Sequence, residues 1–203
     1  MIDGTRFWMI DTETTGLPDD PDAHVIEVAA VYWEGDTVKA WYQASVCPPL
    51  LTAAGLNVAL RISGITEEEI RAGKSPALVE HELTEWLDTH DAPATAWSAP
   101  FDTEMMRRTL PRVRPRWVQC AMEAYLDLMH SELGPWFDLR DKRIKLNTAL
   151  ERHGLVRTGQ SHRALSDAMS AAQVFHLPLT RQIAPRPMPA TGSVTQSTPP
   201  IPK

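Results

Sequence analysis

Apolar residues first gather in a short run, Phe7-Trp8-Met9-Ile10, rich in aromatic and branched side chains. It predicts a buried strand over Arg6 to Ile10. A longer run, Val25 to Trp33, predicts a central strand. Glu34-Gly35-Asp36 then turns the chain, and Val38 to Val46 pairs back as a hairpin that Cys47-Pro48-Pro49 stops. Leu50 to Ala72 is less regular, although Thr66 and Glu69 stand at capping-box spacing. Ser75 before Pro76 predicts a helix start, and Val79, Leu83, Trp86 and Leu87 fall on one face of that helix. After Pro93 the pattern predicts a strand over Ala94 to Trp97, a helix from Asp102 to Leu110 stopped by Pro111, a fifth strand over Trp117 to Cys120 and a helix from Met122 to Met129. Ser131 to Lys142 reads as a loop. Leu146, Ala149 and Leu150 mark a short helix closed by Gly154, and a last helix runs from Ala164 to Phe175, before Pro178. Three antiparallel strands followed by strands alternating with helices predict an α/β fold with a mixed sheet.

Composition narrows the class. The 203 residues are 43% hydrophobic and 23% charged, ordinary for a globular protein. Met1 to Arg6 lacks the features of a secretion signal, and no apolar run is long enough to span a membrane. Cys47 and Cys120 are the only cysteines, too few for a disulfide framework, so a cytoplasmic location is expected. The net charge of −6 is unevenly spread: residues 1–102 hold 5 Lys/Arg against 18 Asp/Glu, whereas residues 103–163 hold 12 against 7. A basic middle section permits a local phosphate-binding face on an acidic protein. From Pro185 to Lys203 the chain is Pro-rich and polar, a composition that builds no core and reads as a disordered tail behind a domain of residues 1–184.

The candidate chemistry lies at the end of the first strand. Asp11 and Glu13 are two apart, and in an extended chain such residues point the same way. Carboxylates held together repel, and a fold that keeps them close commonly supplies a cation; hard divalent ions prefer such oxygen ligands. The plainer reading is a strand end with both acids in water. Asp102 follows the predicted fourth strand, and His162 and Asp167 stand five apart at the mouth of the last helix.

Together Asp11-Thr12-Glu13-Thr14-Thr15-Gly16-Leu17, Asp102 and His162-Arg163-Ala164-Leu165-Ser166-Asp167 resemble the motifs of DnaQ-like 3′→5′ exonucleases of the DEDDh type, over about Arg6 to Leu177. The resemblance implies a ribonuclease H-like fold with five strands flanked by helices. It implies two Mg²⁺ or Mn²⁺ ions held by Asp11, Glu13, Asp102 and Asp167, with His162 as general base. It also implies that Leu17 wedges beside the terminal base, that Thr12 and Thr14 lie at the 3′ end, and that Ser98 and Phe101 flank the substrate. A loop Leu and a core Phe are the plain alternatives for Leu17 and Phe101. Arg107, Arg108, Arg140, Lys142, Arg143 and Lys145 are phosphate candidates.

The sequence departs from the family pattern at Ser63, where His is usual, at Ser98, where Asn is common, and at Gln119-Cys120, where Asp-Thr is frequent. None of these is an expected metal position. The expected activity is metal-dependent 3′→5′ hydrolysis of single-stranded DNA or RNA, with DNA slightly preferred, in proofreading or repair. RNA trimming and an idle binding module are the alternatives. A tail of this kind is a candidate tether for a polymerase or another replication or repair protein. Deleting residues 185–203 is expected to leave the melting temperature and the hydrolysis of short substrates nearly unchanged; a large fall in melting temperature would show that the tail docks on the domain.

Overall fold

The structure is a computed structural model and describes residues 6–133 and 143–183. The predicted tail from Pro185, and Arg140 and Lys142, lie outside the described residues. Four strands, β1 (Arg6–Thr14), β2 (Val25–Glu34), β3 (Thr37–Ser45) and β4 (Ala94–Thr95), form one mixed sheet in the order β3-β2-β1-β4. The pairs β1–β2 and β2–β3 are antiparallel and β1–β4 is parallel. Helices α1 (Ala53–Ile62), α2 (Glu67–Arg71), α3 (Pro76–Asp88), α4 (Ala99–Thr109), α5 (Ala121–Leu133), α6 (Leu146–Arg152) and α7 (Ala164–Ile183) complete the described elements.

The alternation of side chains along β1 divides the core in two. Phe7 and Met9, with Ala29, Val31 and Trp33 of β2, pack against α5, α6 and α7; Phe7 meets Phe175 edge-on with ring centroids 4.9 Å apart. Trp8 and Ile10, with Val28, Ala30 and Tyr32, pack against Val79 and Leu83 of α3 and Met105 and Met106 of α4. A strand buried on both faces needs the continuous apolar run that the sequence carries.

The sheet differs from expectation in having four strands rather than five. The predicted fifth, Trp117 to Cys120, runs beside β4 and joins it only by an isolated bridge from Ala94 to Trp117. Its backbone contacts with β4 are Ala94 N–H to the Arg116 carbonyl at 2.9 Å and Val118 N–H to the Ala94 carbonyl at 3.2 Å. The next contact is made by a side chain, with the Thr95 hydroxyl donating to the Gln119 carbonyl at 2.7 Å. The chain then leaves β4 after Thr95, two residues short of the predicted end, so no ladder is left to extend.

Other element boundaries moved as well. β1 continues through Thr14, which keeps Asp11 and Glu13 inside the strand. α1 forms in the segment that reads as irregular: Thr52 caps it by accepting from Gly55 N–H at 3.0 Å, and its buried face is only Gly55 and Ala59. α7 passes through Pro178 instead of ending before it. Pro removes one helical hydrogen bond, while Leu177 and Leu179 still pack on the core and Thr180 donates to the His176 carbonyl at 3.0 Å. The Thr66–Glu69 capping box and the Ser75 cap with Pro76 form as predicted.

Gly55 seats α1 against the end of β1, where an added Cβ would lie 2.9 Å from the Thr15 Cβ. Ala is the better helix former by about 1 kcal/mol, but overpacking costs about 1–3 kcal/mol. Gly55→Ala is therefore expected to lower the melting temperature by a few degrees and to shift α1. A rise would show that α1 moves away at no cost.

Candidate active site

The odd positions of β1 carry Asp11 and Glu13 on the face that α7 covers, opposite Ala29 and Glu27 of β2. The even position between them points the other way. Thr12 faces α4, and its hydroxyl donates to Asp102 Oδ1 at 2.8 Å, both residues being buried. Asp102 sits in the first turn of α4, whose N-cap, Ser98, makes no side-chain capping bond. α4 starts three residues earlier than predicted and so presents Asp102 from within a regular turn.

The last helix supplies the other half. His162 stands two residues before α7 with φ of +58°, a left-handed conformation that costs an L residue roughly 1–2 kcal/mol. One ligand atom each from Glu13, His162 and Asp167 lie within 4.8 Å of one another. The neighbouring bonds hold this turn. Arg163 donates to Glu27 Oε1 at 2.8 Å, and the Ala164 N–H donates to Glu27 Oε2 at 2.8 Å. Gln43 adds a third bond to Glu27 at 2.9 Å. On the far side Arg157 donates to Asp167 Oδ1 and to Asn147 Oδ1. Sequence reasoning missed Glu27, Arg163 and Arg157. The signal for Glu27 was an acid inside an otherwise apolar strand, which requires a partner.

Burial and mutual repulsion dominate the electrostatics. Asp11 is held well above the usual carboxylate range, first by burial and then by Asp102, Glu13, Asp167 and Glu27. Glu13 is pushed up to about 8 by burial and by Asp167 and Glu27, against the pull of Arg163. Burial raises Asp102 to about 7 although the Thr12 hydrogen bond opposes it. Burial also raises Asp167, against Arg157. An all-oxygen set with this excess of negative charge has the donor chemistry that hard divalent cations take. Asp11, Glu13, Asp102 and Asp167 therefore fit the expected metals.

A cavity of about 600 Å³ opens over these acids, lined among others by Thr12, Thr14, Leu17, Ser98, Phe101 and His162. Every predicted site residue thus borders one space. Leu17 is 64% exposed and faces the cavity rather than the core. Phe101 packs on the core and lines the cavity as well. α1 contributes Val58, Arg61 and Ile62, which the irregular reading of that segment concealed. Ser63 turns inward, its hydroxyl donating to the Ala59 carbonyl at 2.9 Å. The phosphate candidates fare differently. Arg107 and Arg108 both bind Glu104, and Arg108 also donates to the carbonyls of Pro18 and Asp20, so its role is to hold the Leu17 loop.

The RNase_T family, described as exonuclease, matches residues 8–175. No curated protein matches the chain. Among solved structures the fold is similar to cell-death related nuclease 4 (TM-score 0.67, 18% identity, 88% of this chain), of which the chain spans only 64%. It is also similar to the nuclease domain of 3'hExo, a DEDDh family member bound to rAMP (TM-score 0.65, 18% identity, covering 88% of this chain and 93% of that domain). A third similar structure is E. coli exonuclease I in complex with a dT13 oligonucleotide (TM-score 0.65, 20% identity, covering 87% of this chain and 41% of that one).

The raised acids link metal, pH and stability. Their folded-state pKa values exceed the unfolded ones, so without metal the stability they contribute is present at low pH and lost as pH rises through the folded pKa values. Added Mg²⁺ should raise the melting temperature more at about pH 8 than at about pH 5, where protons occupy the same oxygens. In chelator, Asp11→Asn should raise the melting temperature at about pH 8 and leave it unchanged at about pH 4. Scanning fluorimetry reads both; a metal shift independent of pH would exclude these acids as the ligands.

Proposed function

The chain belongs to the RNase_T family of exonucleases, and on that premise we propose that it is a DnaQ-like 3′→5′ exonuclease of the DEDDh type. It removes nucleoside 5′-monophosphates from single-stranded 3′ ends. The observation that carries this reading is the convergence of Asp11, Glu13, Asp102, His162 and Asp167 on one open cavity from β1, α4, the turn before α7 and the first turn of α7. Two divalent ions bound there would neutralise the carboxylates and the scissile phosphate and make a coordinated water more acidic.

The chain's own residues perform the remaining tasks. His162, exposed on the cavity wall beside Glu13 and Asp167, accepts a proton from the attacking water at an imidazole nitrogen. Leu17 and Ile62, both exposed and both lining the cavity, offer apolar contacts to the terminal base. Thr12 holds Asp102 in place through its hydroxyl. DNA is slightly preferred over RNA, because the first motif resembles proofreading subunits. The two free cysteines suit a reducing cytoplasm.

The test uses 3′-labelled single-stranded DNA and RNA side by side. Hydrolysis should require Mg²⁺ or Mn²⁺, favour DNA and disappear in Asp11→Ala. His162→Ala should lose rate by about 10²–10⁴-fold while keeping most of its metal affinity. Full activity in excess chelator would reject the metal-dependent reading. Loss of metal in His162→Ala would make the histidine a ligand instead of a base.

A further inference from the structure

Residues 107–116 hold five arginines and no acid, in a chain of net charge −6. Arg107 and Arg108 are bound to Glu104, but Arg112, Arg114 and Arg116 stand exposed on the segment that leads from α4 to the isolated bridge at Trp117. We propose that this segment is a second nucleic-acid contact, remote from the catalytic cleft, that takes the phosphodiester backbone of a strand or duplex. The choice of nucleic acid as occupant rests on the exonuclease function proposed above; the contact itself uses none of the catalytic residues.

The alternation of the segment builds a comb. Val113 is buried and Pro115 and Trp117 are partly buried, which leaves the arginines between them on the outer side. Pro115 keeps Arg114 out of the helical region, and alternate residues of a near-extended chain lie roughly 6–7 Å apart. Successive phosphates along a nucleic-acid strand are comparably spaced. Both ends of the comb are fixed. The Val113 N–H donates to the Leu110 carbonyl at 3.1 Å, and the Arg112 N–H donates to Oε1 of Glu80, a buried acid of α3, at 2.6 Å. At the other end the Arg116 carbonyl accepts from the Ala94 N–H of β4 at 2.9 Å. A backbone tied to α3 and β4 presents its guanidinium groups without the ordering cost of a loose loop.

Charge and position select a polyanion. Among the described residues Arg71, Arg157 and Arg163 are held by carboxylates, whereas Arg112 and Arg114 make no ion pair. Arg114 donates to the adjacent Val113 carbonyl at 3.5 Å, a contact too long to satisfy it. A guanidinium without a carboxylate partner suits a phosphate. Asp88 and Asp91 line a cavity of about 300 Å³ with Arg114 and Arg116, and Arg116 holds Asp91 at 3.3 Å. That pair neutralises Arg116, and Arg112 and Arg114 carry the contact. None of the three arginines lines the cavity over the acids. Arg116 lies beside Ala94, which pairs with Trp8, whereas Asp11 and Glu13 stand further along β1 and Asp102 follows the other end of β4. The comb and the acids thus occupy opposite ends of the sheet. A contact there holds the body of a long strand while its 3′ end is trimmed.

Closed circles of DNA separate this contact from the cleft, because they offer backbone and no 3′ end. In chelator the wild-type protein should bind single-stranded and duplex circles, with affinity falling as salt rises. Arg112→Ala/Arg114→Ala should reduce the slope of log affinity against log salt by about 1.8 on the duplex or about 1.4 on the single strand, two phosphates' worth. Arg112→Lys/Arg114→Lys should keep most of the slope. With Mg²⁺, the alanine variant should hydrolyse trithymidylate at the wild-type rate and lose several-fold in kcat/KM on a long oligothymidylate. A slope loss on one circle alone assigns the contact to that form of the strand. No binding to either circle, an unchanged slope, an equal loss on short and long substrates, or equal displacement of the circles by polyglutamate of matched charge overturns the proposal. Circles bound by a protein inert on every 3′ end would support the comb and reject the exonuclease function. Melting temperatures of the variants identify any general loss of folding.

Discussion

The two-residue alternation of β1 is the constraint on which the rest of the structure depends. Phe7 and Met9 are committed to the α5–α7 layer, and Trp8 and Ile10 to the α3–α4 layer. Both sets are fully buried, and each such side chain contributes about 1.5–3 kcal/mol relative to exposure. A slip of one residue would exchange the two faces along the whole strand. The same register turns Asp11 and Glu13 toward α7 and Thr12 toward Asp102. The core and the candidate site are therefore set by one strand and cannot be shifted separately.

Beside this strand the fold solves a charge problem. Glu27 is fully buried opposite Glu13, close enough to raise the Glu13 pKa. A buried carboxylate without partners costs several kcal/mol or more. Arg163, Gln43 and the first backbone N–H of α7 provide those partners. The arrangement neutralises Glu27 and fixes the start of α7 on β2, which holds His162 in its left-handed conformation next to Glu13. Among the described residues no comparable cation neutralises Asp11 or Asp102, and that imbalance is what a divalent ion would relieve.

The loop after β1 is secured in a different way. Arg108 reaches back from α4 to the carbonyls of Pro18 and Asp20, with Glu104 orienting its guanidinium. Leu17 stays exposed because the loop is held by its backbone, leaving the side chain toward the cavity. A residue that reads as a phosphate contact is in fact part of the scaffold.

Much of this was legible from local pattern. The apolar runs of β1 and β2, the hairpin to β3, the capping box at Thr66 and the Ser-Pro start of α3 are all signals contained within a few residues, where steric and hydrogen-bonding preferences act directly. The spacing of Asp11 and Glu13 already placed both on one side of a strand. Tertiary structure decided the rest, because it depended on partners distant in the chain. The fifth strand stopped at an isolated bridge since its neighbour, β4, ends after two residues. α1, with only Gly55 and Ala59 buried, had too narrow an apolar face to announce itself, and close packing on Thr15 makes it part of the cleft. Glu27 and Arg163 stand 136 positions apart, as Thr12 and Asp102 stand 90 apart. Sequence alone named the acids; only the packed sheet and helices could bring them within one another's electric field, because the energy of such contacts depends on distance in space and burial, and neither is written in the order of the residues.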